Sequence, residues 1–344
     1  MTVPEPTRRP TLEEVAERAG VSRATASRVI RGTSNVSDSA REAVLNAANE
    51  LSYTVNRAAR SLVTRRSDSV AFLVAETGER MFRDPYFLGI LRGAQSVIGS
   101  SGLQLVFAIA SSSRELEQFT EYAASGHVDG TLLISLHGAG DDGGDLPQRL
   151  EALGVPTVLN GRPLGDTDTY YVDADNIGGA RLATDLLIER GARQIATITG
   201  PMDMTVGHDR LSGYQAALAA HGYEQRPQLV ATGDFSVEGG AHAMTRLLEQ
   251  APDVDAVFCA SDLTAFGAMQ TLAEAGRSVP HDVAVVGFDD VAEAQTAPVP
   301  LTTVHQPIRD LGRTMAQVLL DRLAGKTPPR RTVLPVSLTR RASA

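Results

Sequence analysis

Thr11-Leu12-Glu13-Glu14-Val15-Ala16-Glu17-Arg18-Ala19-Gly20-Val21-Ser22-Arg23-Ala24-Thr25-Ala26-Ser27-Arg28-Val29-Ile30 is the stretch on which the reading of the chain turns. Thr11 and Glu14 stand at capping-box spacing, and at about 100° per residue Leu12, Val15, Ala16 and Ala19 fall on one narrow arc. A short amphipathic helix is expected. Gly20 stops it and Ser22 caps a second helix at once, so the turn Ala19-Gly20-Val21 leaves room only for the corner of a helix-turn-helix. On the second helix Ala26, Val29 and Ile30 share a side with Ser22, while Ala24, Ser27 and Arg28 lie opposite. That outward side is small and basic. It suits a major groove, where Arg28 and the flanking Arg23 have the donors for guanine O6 and N7 and Ala24 fits a thymine methyl. Taken alone, the same residues also describe a helical hairpin with solvated arginines. A third helix, capped by Ser37 and running through Ala47 to about Leu51, completes a small core.

Charge separates this head from the rest of the chain. The 344-residue chain has a net charge of −9, yet residues 1 to 66 hold 11 arginines against 7 acids, a balance of +4 that leaves −13 for the remainder. A basic head neutralises phosphates while an acidic body is repelled from the duplex. The length calls for two or three domains. Hydrophobic residues at 42% and charged residues at 21% fit a folded globular protein. No apolar run follows Arg8-Arg9, and none approaches the roughly 20 residues of a membrane span, so a cytoplasmic protein with no membrane partner is expected. The lone Cys259 lies in the apolar run Ala256 to Ala260 and reads as a buried hydrophobe.

From Ser69 short apolar runs alternate with helical stretches: Val70 to Ala75, Leu103 to Ile109, Gly130 to Ser135 and Pro156 to Asn160, then Gln194 to Thr199, Gln228 to Ala231, Val254 to Cys259 and Val283 to Phe288. Such alternation means parallel sheets covered by helices. Two successive sets exceed one sheet, and Leu301 to Val304 and Thr332 to Val336 return after the second. The expected body is two doubly wound α/β lobes with crossing strands. The expected division is a helix-turn-helix head at 1–54, a hinge helix or linker at 55–66, a first lobe at 67–172 and 305–328, and a second at 173–304 and 329–344. Ligands of open α/β sheets bind beyond the carboxyl ends of strands. Asn160, Ser261-Asp262 and Asp289-Asp290 stand at such ends and are expected to face a shared cleft.

The head run, with Val36-Ser37 through Arg41, Leu51-Ser52-Tyr53 and Asn56-Arg57-Ala58-Ala59-Arg60-Ser61-Leu62, closely resembles the DNA-binding head of the lactose repressor (LacI/GalR) family. The resemblance implies base reading by Arg23, Ala24 and Arg28, and phosphate or groove contacts by Ser22, Thr25, Asn35 and Asn56. It also implies a hinge helix from about Asn56 to Val63, where Arg57 and Ala59 meet DNA and Leu62 wedges into the minor groove. Eight or so residues fall below the roughly 12 to 15 of a marginally stable isolated helix, so this one folds only against a partner; read by itself it is a plain linker. The body resembles the family's ligand-binding core, similar in fold to periplasmic sugar-binding proteins, from residue 69 to 341. The matching stretches include Asp175-Asn176-Ile177-Gly178, Arg210-Leu211-Ser212-Gly213-Tyr214, Val285-Val286-Gly287-Phe288-Asp289-Asp290 and Pro300-Leu301-Thr302-Thr303-Val304. By that resemblance the effector site draws on Asn160, Arg210, Phe235, Ser261, Asp289 and Gln306, with Asp84, Tyr86 and Phe87 from the first lobe. Such groups take paired sugar hydroxyls, and Phe235 offers an apolar face to a pyranose. Duller roles stand beside these: Asp262 and Asp289 as helix caps, Arg210 paired within its lobe, Phe235 as core.

Signatures of catalysis are missing. G-x-S-x-G does not occur, and Gly325-Lys326-Thr327 has Leu320 where a phosphate loop needs its first glycine. It reads as a surface turn. The seven histidines show no metal spacing, and the acidic loop Asp141 to Asp145 no calcium pattern. The expectation is a ligand-responsive, sequence-specific DNA-binding regulator without cofactor or enzymatic activity. It would repress carbohydrate genes from a palindromic double-stranded operator and be released by a small sugar. A regulator using a purine or other corepressor and a carrier-type sugar-binding protein are the alternatives. A homodimer and no tetramer is expected, because no leucine heptad tail follows the last strand.

Overall fold

Helices α1 (Leu12–Arg18), α2 (Arg23–Ile30) and α3 (Asp38–Glu50) make the N-terminal unit. They begin where the caps require. Thr11 Oγ1 accepts the Glu14 N–H at 3.3 Å while the Glu14 carboxylate takes the Thr11 N–H at 2.8 Å, closing the capping box. Ser22 and Ser37 accept from Thr25 and Ala40. Gly20 turns the corner at φ +65°, a region open to glycine, and lets the Val21 N–H reach the Ala16 carbonyl at 3.0 Å. Val15, Ala26 and Val44 are fully buried, with Val29 and Ala47 beside them. The computed structural model describes residues 10–30, 36–53, 66–138, 144–165 and 168–344.

The second unit, from Asp68 on, is two lobes, each built on a six-stranded sheet. The first sheet holds β1 (Ser69–Val74), β2 (Gln104–Ile109), β3 (Gly130–Ile134), β4 (Thr157–Asn160), β5 (Tyr170–Ala174) and β11 (Arg331–Leu334), in the order β2-β1-β3-β4-β5-β11. The second holds β6 (Ile195–Thr199), β7 (Val230–Thr232), β8 (Ala256–Cys259), β9 (Ala284–Asp289), β10 (Thr302–His305) and β12 (Ser337–Thr339), in the order β7-β6-β8-β9-β10-β12. Pairing is parallel except between β10 and β12. Sheets covered on both faces need continuous apolar strands. Residues Val70 to Val74 of β1 and all of β3, β6 and β8 are accordingly buried, Cys259 among them.

The chain crosses between lobes after β5, after β10 and between β11 and β12. Two particulars correct the expected division. Strand β5 is not among the expected strands, because among the described residues no helix intervenes between it and β4; residues Gly161 to Leu164 of the connection line the cleft between the lobes. The apolar run Thr332 to Val336 is expected whole in the second lobe, yet Arg331–Leu334 pairs with β5 in the first sheet. Pro335 has no N–H to continue that ladder, and the chain leaves for the edge of β10. The boundary in the return segment therefore falls after Leu334, and the first crossing after Ala174, not after Val172.

Candidate functional site

On α2 the side chains of Arg23, Ala24 and Arg28 are exposed, with Ser22 at the cap and Thr25 half-buried beside it. Arg23 pairs with Glu13 at 2.6 Å, both side chains more than half exposed, so the pair is cheap to open. Asn35, Asn56, Arg57, Ala59 and Leu62 lie outside the described residues, as does most of the acidic loop from Asp141.

The ends of the strands in the two lobes face one another across a cleft of about 880 Å³ of non-atom space, mouth included. All nine effector residues expected from the sequence line it: Asp84, Tyr86, Phe87 and Asn160 from the first lobe, Arg210, Phe235, Ser261 and Asp289 from the second, and Gln306 from the crossing segment. Tyr86 donates its hydroxyl to Asn160 Oδ1 at 2.7 Å. Asp84 caps the helix Pro85–Ile98 through the Tyr86 N–H at 2.9 Å, which places Tyr86 and Phe87 on the first turn at the cleft wall. Gln306 donates to Asp289 Oδ1.

Backbone strain concentrates here. Ser135, Phe235 and Asp289 have φ of +59°, +67° and +117°, conformations that non-glycine residues rarely hold unless their surroundings fix them. Phe235 is fixed by Gly200, where any Cβ would collide with its ring. The ring is presented to the cleft, with the guanidinium of Arg80 at 5.5 Å from one lobe and that of Arg210 at 5.7 Å from the other.

Arg210 is 5% exposed. It donates to Asn176 Oδ1 at 2.9 Å and to the Ala260 carbonyl, stacks 3.6 Å over the Phe288 ring, and stands 3.6 Å from the Asp289 carboxylate. Burial lowers the Arg210 pKa and raises that of Asp289 well above the carboxylate range; each opposes the other's shift by its charge. Burial also raises Asp84, and pushes Asp173 on the cleft floor up to about 6. Such a site sets carboxyl groups, amides and guanidinium groups around an apolar ring. It is made to exchange water for hydroxyls and one ring face.

Two strand-end aspartates do not face the cleft as expected. Asp262 is fully buried, accepting from the Val291 N–H at 2.9 Å and from Thr303 Oγ1, and burial pushes its pKa up to about 7. Asp290 turns to Arg341 at 2.6 Å and His305 at 3.0 Å. Ser261 lines the cleft and also caps the helix Asp262–Glu274 through the Thr264 N–H, the role weighed for Asp262. Lys326 is an exposed partner of Asp321. Sequence reasoning missed Arg80, Ser135, Arg162, Asp173, Asn176 and Thr205, all of which line the cleft. Arg162 Nη2 lies 2.6 Å from Asp209 of the opposite lobe. For Asp173 and Asn176 a signal existed, since they flank the first crossing, but it needed β5 to be seen.

Comparison with known proteins agrees with both halves. The profile of "Bacterial regulatory proteins, lacI family" matches residues 11–56, and that of "Periplasmic binding protein-like domain" residues 184–344. The HTH-type transcriptional regulator CelR of Thermobifida fusca is 51% identical over 339 residues, 98% of each chain. A solved transcriptional regulator CelR-cellobiose complex is 49% identical with a TM-score of 0.78, covering 98% of this chain and 100% of that one. The Lac repressor dimer bound to operator and the anti-inducer ONPF is 27% identical with a TM-score of 0.84, covering 98% and 99%. Among the described residues no helix is long and apolar enough to cross a membrane. With the exposed basic helix α2, two α/β lobes about a polar cleft and these relatives, this chain belongs to the lacI family of bacterial regulatory proteins and is a ligand-responsive DNA-binding transcriptional regulator.

Proposed function

We propose that this regulator represses carbohydrate-utilisation genes as a homodimer on a palindromic operator and is released by cellobiose or a closely similar glucose disaccharide. What carries the effector assignment is the cleft: Phe235, with guanidinium groups 5.5 and 5.7 Å from its ring centroid, among Asp84, Asn160, Asp289 and Gln306, in a chain 49% identical to a regulator solved with cellobiose. A pyranose needs such a ring for its apolar face and such groups for paired hydroxyls. On this reading Arg23, Ala24 and Arg28 read bases, Ser22, Thr25, Asn35 and Asn56 position the backbone, and Arg57, Ala59 and Leu62 act in a hinge that folds on DNA. The cleft binds and does not catalyse, and the protein works in the cytoplasm with the DNA. A thermal-shift screen of cellobiose, other sugars and purines tests the assignment. Cellobiose at 100 times its dissociation constant stabilises by about 2.7 kcal/mol. Stabilisation by a purine with none by cellobiose would make the protein a purine-controlled regulator.

A further inference from the structure

One cluster at the cleft mouth lies outside the effector set. His137, in the segment after β3, stands with Nε2 2.8 Å from Glu76 Oε1 in its own lobe and Nδ1 2.7 Å from Asp203 Oδ2 in the other. The Glu76 oxygen also receives Arg80 Nη1 at 2.5 Å and the Ser135 hydroxyl at 2.8 Å. Two donors other than the ring, one of them a guanidinium, converge on that oxygen, so Glu76 is the anion. A neutral imidazole has one N–H and would leave one carboxylate facing a lone pair; only the imidazolium donates to both. The backbone repeats the bridge, the Gly138 N–H donating to the Asp203 carbonyl at 2.9 Å.

We propose that His137 is a proton-dependent latch across the cleft: closing the lobes on an effector takes up a proton at this imidazole, so effector binding tightens as pH falls. The inference rests on reading the cleft as the effector site. Among the described residues the charged groups set against the ring are Glu76 from the segment after β1, Arg80 from the helix Gly78–Arg83 and Asp203 from the segment after β6. The hydrogen bond to Glu76 and then that to Asp203 raise the His137 pKa against the opposing effect of burial. Opening the lobes removes Asp203 and leaves Glu76. The open state therefore keeps part of the elevation, and the coupling is the Asp203 share alone. The closed state holds its proton to higher pH than the open one, so closure is favoured below the open-state pKa, and the advantage is lost as pH rises through the closed-state pKa. Both side chains are 34% exposed, which admits protons and exposes the bridge to screening by salt.

The test is calorimetric titration of the full-length protein with cellobiose at pH 6.0, 7.0 and 8.5, for wild type, His137→Gln and Asp203→Asn, in buffers of differing ionisation enthalpy. The wild type should weaken about three- to tenfold from pH 6.0 to 8.5, a full unit of pKa difference corresponding to tenfold. It should take up a fraction of a proton near pH 7, and both variants should lose slope and uptake. A flat wild-type profile, or an unchanged slope in His137→Gln, overturns the latch. If cellobiose binds at no pH, the effector assignment fails, and the latch is then decided by NMR titration of the His137 ring with and without whichever sugar or purine stabilises the protein in the thermal-shift screen: the ring pKa should rise on binding in the wild type and not in Asp203→Asn, and no rise in the wild type, or an equal rise in the variant, overturns it.

Discussion

Phe235 shows what the cleft asks of single residues. Its φ of +67° costs an L side chain about 1 to 2 kcal/mol, a cost glycine escapes. Truncating it to alanine removes a buried ring and keeps the strain, so Phe235→Ala should lose about 3 to 5 kcal/mol. Phe235→Gly should be the more stable of the two by about 1 kcal/mol, inverting the usual order of alanine and glycine. Urea unfolding ranks them, and a less stable glycine variant would mean that the backbone is not strained. Arg210 gives the electrostatic counterpart. Arg210→Met keeps the stem and removes the charge facing buried Asp289, which should cost about 3 to 5 kcal/mol at pH 8. The penalty should shrink towards pH 5, because the Asp289 pKa is already raised by burial and the stranded carboxyl escapes its cost by taking up a proton. A loss independent of pH between 5 and 8 would mean that packing on Phe288, and not charge, is what Arg210 contributes.

Among the elements, the helix Ile308–Leu323 returns from the second lobe and packs on Pro85–Ile98 of the first, next to the helix start that presents Tyr86. Their backbones touch at Gly312, where a Cβ would meet the Ile90 carbonyl, and at Gly93, where it would meet that of Arg309. Gly312→Ala should therefore cost about 1 to 3 kcal/mol despite alanine's better helix propensity, measured by thermal or urea unfolding. A stabilised variant would show that the two helices separate easily. Elements of this kind show where the sequence was legible. Thr11, Ser22 and Ser37 announced their helices because a cap acts within three residues, and continuous apolar runs marked strands buried on both faces. What escaped needed distant parts of the chain. Strand β5 lacks the helix that punctuates its neighbours, and Glu76, His137 and Asp203 sit in loops without periodicity, brought together only by the fold. The nine cleft residues came from family resemblance; spacing alone offered Asn160, Ser261 and Asp289, together with Asp262 and Asp290, which serve the lobe's interior and its edge.

For the whole molecule the proposal joins a base-reading α2 to an effector cleft through a hinge at 56–63. Arg28→Ala should lower operator affinity by about 1 to 3 kcal/mol and leave binding to random DNA nearly unchanged, since bidentate base contacts discriminate and phosphate contacts do not. Equal losses on both DNAs, read by gel shift at fixed salt, would make Arg28 a phosphate contact. The coupling between sites is bounded by the effector's preference between arrangements of the lobes: a 100-fold loss of DNA affinity requires about 2.7 kcal/mol of differential binding, and operator must weaken effector binding by the same factor. The most direct test of the central claim is operator affinity by fluorescence anisotropy, with and without saturating cellobiose, in wild type and in Asp289→Asn. The expected result is a loss of about 10- to 100-fold on adding cellobiose to the wild type, and no response in a variant whose ligand-free affinity is normal. An Asp289→Asn protein released by cellobiose as fully as the wild type would contradict it.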